Sequence, residues 1–119
     1  MKKIEAIIDP VQFDDVREAL SAVGVKDLAT SEVRGVDPLG RHTETYRGVQ
    51  YTVDVIPKIK LEAVVADDLA DDAISAIVDA VPSRNGRSGK IFVSAVEEVV
   101  VLGKGGLASR HSLQKRVQL

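Results

Sequence analysis

Two short segments of the chain carry one pattern of apolar and charged positions. KIEAII (Lys3–Ile8) and KLEAVV (Lys60–Val65) match in character at every position. Both are short and rich in apolar and β-branched residues, and they predict β-strands. At equal distances after them come aspartate pairs, Asp14-Asp15 and Asp71-Asp72, then VREALSAV and AISAIVDA in phase. Val16, Ala19, Leu20 and Val23 fall at i, i+3, i+4 and i+7, and Ile74, Ile77, Val78 and Val81 repeat that spacing. The spacing predicts two helices, each with one apolar face. Gly24 suits the C-terminal end of the first helix, and Pro82 stops the second. Further strands are expected over Leu28–Val36, Ile91–Val96 and Val99–Leu102.

A strand–helix–strand unit present twice predicts an α+β, ferredoxin-like split βαβ duplication (βαββαβ). Two helices then cover one face of a four-stranded sheet. KIFVSAV and EVVVL are too apolar for both faces to stay in water, so self-association is expected. Two connections stand out. One runs from about Asp37 to Val53 and is longer than most links in a compact domain. The other is PSRNGRSGK, Pro82–Lys90.

With 119 residues, 45% of them hydrophobic, the chain fits a single domain over 1–119 with a real core. There is no cysteine, hence no disulfide, thiolate or Cys-ligated metal chemistry. That composition fits a cytoplasmic location. A net charge of −2 offers nothing for nucleic acid. The start, MKKIEAIIDP, is too short in its apolar run for a signal peptide. No run approaches the roughly 20 apolar residues of a membrane span, so no direct membrane insertion is expected.

The succession KKIEAII, FDDVREAL, HTETYRGVQY, PKIKLE, VVADDL and GKIFV resembles the P-II family of signal-transduction proteins over roughly residues 1–100. The resemblance implies a homotrimer that binds adenine nucleotides (ATP, ADP or AMP) in clefts between subunits. It implies a mobile T-loop, here about 37–53, that docks on a transporter, enzyme or regulator. Tyr51 matches the tyrosine that some members modify. From the residues alone, the same segment also reads as a long hairpin with Tyr46 and Tyr51 packed on strand surfaces.

Residue by residue, the resemblance assigns Glu62 and Val64 to the base and ribose region, with Gly35 beside them. It aligns Ala29 with a family threonine, and the adjacent Thr30 is expected to serve instead. Gly89 and Lys90 match the phosphate-binding end of the second loop. There Arg87 and Ser88 replace the family's Gly-Asp, yet backbone N–H groups and an arginine still suit phosphate. Two family arginines fall on Val101 and Gly103, and Lys104 stands one step on as a partial substitute. Weaker ATP binding, or a preference for ADP or AMP, follows. The family glutamine that joins magnesium and 2-oxoglutarate falls on Leu39, which has no oxygen for a hard cation. Magnesium is therefore not expected to hold as in the family. Lys58, which pairs with the oxoacid, is kept. A small anion such as bicarbonate, or 2-oxoglutarate, is expected between Lys58, Gly40 and Arg41. The basic tail, 103–119, does not resemble the family ending and is expected to be disordered or docked on a neighbour.

These losses resemble a divergent, carboxysome- and bicarbonate-transport-associated group of P-II-like proteins. The other reading is a nitrogen regulator acting on an ammonium transporter or the glutamine synthetase pathway. An enzyme is not expected: His42 and His111 lie in a loop and the tail, and Asp67, Asp68, Asp71 and Asp72 suit a helix start. A metal-binding trimer would need clustered His, Cys or carboxylates at ligand spacing. A purely structural trimer has no use for the long loop or the cationic GRSGK turn.

Overall fold

A computed structural model describes residues 1–36, 42–46, 49–53, 55–82, 89–103 and 106–112. The elements run β1 (Lys2–Ile8), α1 (Phe13–Ala22), β2 (Ala29–Val36), β3 (His42–Tyr46), β4 (Val49–Val53), β5 (Val55–Val65), α2 (Asp67–Ala80), β6 (Gly89–Ala95), β7 (Glu98–Gly103) and β8 (Gly106–Ser112). A single 3-10 turn, Pro10–Gln12, leads into α1.

Four strands form one antiparallel sheet in the order β2-β5-β1-β6. This is the α+β, ferredoxin-like arrangement that the duplication predicts. The repeated strands β1 and β5 are its central neighbours. Alternation sends Ile4, Ala6 and Ile8 of β1 and Leu61, Ala63 and Val65 of β5 to one face. Both helices cover that face, and Val16, Leu20, Ala70, Ala73 and Ile77 complete the buried core.

Gly24 ends α1 as expected. Its φ is +101°, its N–H donates to Ser21, and the N–H of Val25 reaches back to Leu20. Together these bonds satisfy two terminal carbonyls and turn the buried Val25 into the core. At the end of α2 the Val81 N–H donates to Ile77 before Pro82. One position departs from the expected helix face: Val78 is 57% exposed. The buried stripe of α2 runs through Ala70, Ala73 and Ile77. Val78 lies about 100° around the helix from Ile77, off that stripe.

β5 is longer than its repeat counterpart and contains Pro57. Beyond Ile59 it pairs with β2 alone, since the β1 ladder stops there. A proline is tolerated on such a half-open stretch because one side of the backbone has no ladder partner to donate to. The 37–53 segment contains an antiparallel ladder, β3 with β4, in which Glu44 faces Tyr51. In the tail, residues 106–112 form β8, which pairs with β7 with a bulge at Val101/Leu102, and 113–119 lie outside the described residues. Neither hairpin joins the main sheet. The molecule measures 57 × 33 × 22 Å with a radius of gyration of 17.6 Å. A compact chain of this length would have about 13–14 Å, so material projects from the core.

Candidate functional site

Several residues singled out in the sequence lie on the face of the sheet away from the helices. β1 and β5 place Lys3, Glu5, Lys60 and Glu62 there, at the centre of the sheet. The lysines bridge both glutamates. Lys3 lies 3.0 Å from Glu5 and 3.4 Å from Glu62, and Lys60 lies 3.1 Å from Glu62 and 3.6 Å from Glu5. The hydrogen bond from Lys60 holds the Glu62 carboxyl below its ordinary range, with Lys3 adding to it. Lys3 is raised, chiefly by Glu5, and Lys60 is raised, chiefly by Glu62. The open face is therefore not uniformly apolar, as the strand composition had implied. Of the exposed apolar residues, Phe92 of β6 lies on this face opposite Glu5, Val93 lies on the other face of β6 opposite Ile4, and Val100 and Leu102 lie on β7, outside the main sheet.

At one end of the open face, Lys58 donates to the carboxylate of Asp9. Gly35 lies under the lysine stem, and a Cβ there would stand 3.3 Å from Lys58 Cγ. Asp9 is fixed by its own turn. Its N–H donates to Gln12 Oε1 at 3.1 Å, and the Gln12 N–H donates to the Asp9 carbonyl at 2.9 Å. At the β6 side, Lys90 is exposed and faces Ile7. Gly89 precedes it at φ +156°, with its α-carbon so close to the Ile7 carbonyl that a side chain would overlap the oxygen.

The fold thus brings Gly35, Lys58, Glu62, Val64 and Lys90 onto one face, with Gly89 beside Lys90 in β6. Thr30 does not join them. It pairs with Leu61 on the helix-side face, and Ala29, opposite Glu62, takes the open-face position. A strand turns successive side chains to opposite faces, so Thr30 and Ala29 stand on different sides of the sheet. Leu39, Gly40, Arg41, Arg87, Ser88 and Lys104 lie outside the described residues. Tyr51 stands in β4 opposite Glu44, and Val101 and Gly103 stand in β7.

Sequence reasoning missed Asp9, whose pairing with a residue 49 positions away leaves no local signal. It also missed the lysine–glutamate quartet, which the duplicated KIEA and KLEA do signal once the strands are paired antiparallel. A separate groove of about 600 Å³, lined by residues including Arg17, Ser21, Val25 and Leu28, belongs to α1 and the turn after it, not to the open face.

Charged and backbone groups on a flat strand surface suit binding. Among the described residues no group of three or more His, Cys, Asp or Glu is placed to hold a metal ion. No helix among them is long and apolar enough to cross a membrane.

Comparison with known proteins identifies the family. The family model described as "Nitrogen regulatory protein P-II" matches residues 1–105. A "Nitrogen regulatory protein P-II" of Cereibacter sphaeroides is 49% identical over 105 residues, covering 88% of this chain and 94% of that protein. The protein of the same name from Haemophilus influenzae is 48% identical with the same coverage. That of Bradyrhizobium diazoefficiens is 46% identical over 109 residues, covering 90% of this chain and 97% of the relative. The match spans both halves of the duplication, both helices and all four strands of the sheet, and the chain belongs to the P-II family of signal-transduction regulators, which are not enzymes.

Proposed function

We propose that this chain acts as a trimeric, cytoplasmic regulator that binds an adenine nucleotide in each cleft between subunits and signals to a protein partner through segment 37–53. The observation that carries this reading is the single open face that collects Gly35, Glu62 and Val64 with Lys90. Glu62 and Val64 take the base and ribose side, and Lys90, with Gly89 and the adjoining Arg87 and Ser88, the phosphate side. An ammonium beside a glycine-containing turn suits phosphate. Exposed Phe92, Val93, Val100 and Leu102 favour burial against further copies. With Val101 and Gly103 in place of cations, Lys104 alone adds charge to the distal phosphates, which favours ADP or AMP over ATP.

The effector anion takes Lys58 with the backbone around Gly40 and Arg41. Leu39 gives magnesium no oxygen, so a magnesium-bridged 2-oxoglutarate is not the main switch, and bicarbonate suits the smaller site. The second reading is nitrogen regulation, through an ammonium transporter or the glutamine synthetase pathway. The names of the relatives at 46–49% identity favour it.

Light scattering and calorimetry test the proposal. The expected results are a mass three times that of the 12.8 kDa chain and saturable binding of ATP, ADP or AMP. A monomer that binds no adenine nucleotide would overturn it. Tight magnesium-dependent binding of 2-oxoglutarate, with no effect of bicarbonate on nucleotide affinity, would select the second reading.

A further inference from the structure

We propose that Asp9 is an internal occupant of the anion position on Lys58, and that an effector anion gains that position only by displacing it. The inference rests on the reading of Lys58 given above and adds how access to it is regulated. The Asp9 carboxylate accepts a hydrogen bond from the Lys58 ammonium across 49 residues of sequence. Both partners are held in advance. Gly35 leaves space for the Lys58 stem to lie flat over β2, and a side chain there would crowd it. Pro10 restricts the backbone after Asp9, and the two hydrogen bonds with Gln12 fix the turn.

Preorganisation makes the internal carboxylate hard to displace. An attached group competes at an effective concentration of mM order or higher, whatever the free anion concentration. A lone carboxylate that meets only Lys58 offers the ammonium what Asp9 already offers, and has no reason to win. A successful anion must bring a second contact, to the bound nucleotide. Asp9 thereby raises the threshold for the effector and ties its binding to the nucleotide. Lys58 lies three residues past the point where β5 rejoins the sheet, so exchange of its partner takes place at the root of the β3–β4 excursion.

The test is calorimetry with 2-oxoglutarate and with bicarbonate, with and without saturating ADP, on wild type, Asp9→Asn and Asp9→Ala. The proposal expects both variants to bind at least one of the two anions about 10-fold more tightly. It also expects the gain to vanish when Lys58→Ala is added. Gln12→Ala, which loosens the turn but keeps the carboxylate, should give a smaller gain. Denaturation midpoints close to wild type would show that the turn tolerates the changes. Unchanged or weaker anion binding in both Asp9 variants, with nucleotide binding intact, overturns the role of Asp9 and leaves the regulator reading standing. Absence of both anions from every variant overturns the Lys58 site together with its occupant. Loss of nucleotide binding in the wild type itself strikes the function proposed above.

Discussion

Glu5 and Glu62 face one another across the β1/β5 ladder, and they are the same residue of the two repeats. Antiparallel pairing of duplicated strands places equivalent positions opposite each other at the local two-fold centre. Like charges so placed repel. The equivalent lysines, Lys3 and Lys60, resolve the conflict by each bridging both carboxylates. The duplication thus creates a problem and supplies its remedy from the same tetrapeptide.

Lys60→Met should lower the urea midpoint more than Glu5→Gln does, because it leaves two facing carboxylates with one cation. Adding Glu5→Gln to Lys60→Met should restore part of the loss. The effect should also follow pH. Glu62 is held below its ordinary 4.5, so its contribution is present above that value and is lost as pH falls through the lowered one. Lys3 and Lys60 are raised above 10.5, so theirs is full below that value and is lost as pH rises through the raised ones. The gap between wild type and Lys60→Met should therefore close at both extremes in a pH series of denaturation curves.

Gly89→Ala should destabilise the protein by roughly 1–3 kcal/mol, the scale of a residue forced into a backbone region unsuited to it. The added methyl would meet the Ile7 carbonyl, part of the β1/β6 ladder. Urea denaturation measures the loss. Calorimetry should show nucleotide affinity falling as well, since Lys90 follows directly.

Ile77→Ala should cost about 2–5 kcal/mol, because it opens a cavity between α2 and the sheet. Val11→Ser, at a side chain 86% exposed, should shift the same midpoint by less than about 0.5 kcal/mol. Val78→Ser should resemble Val11→Ser in a single chain. A larger loss there would reveal a contact with another copy.

Lys90→Ala should weaken adenine-nucleotide binding roughly 10- to 100-fold, the effect of removing a charge-assisted phosphate contact of about 1.5–3 kcal/mol. Titration calorimetry with ADP is the measurement. Full affinity in the variant would mean that Lys90 is a surface lysine and nothing more.

The α+β architecture was legible because its signals are local and repeat. KIEAII and KLEAVV announce paired strands, the i, i+3, i+4, i+7 spacing announces the helices, and Gly24 and Pro82 end them where expected. Family membership was legible from motifs spread through both halves. Other features depend on strand pairing, which periodicity does not encode. Val78 fits the apolar spacing but falls off the buried stripe once small Ala70 and Ala73 set how α2 lies on the sheet. Thr30 is next to Ala29 in sequence and on the opposite face in space, because a strand inverts its side chains at every step. Asp9 reads as an ordinary residue before a proline until β1 and β5 align and bring it to Lys58. By itself the sequence determined the elements and the duplication, which follow from short-range periodicity. Which charges meet across the sheet was decided by the tertiary structure alone, because the register joins residues about fifty positions apart.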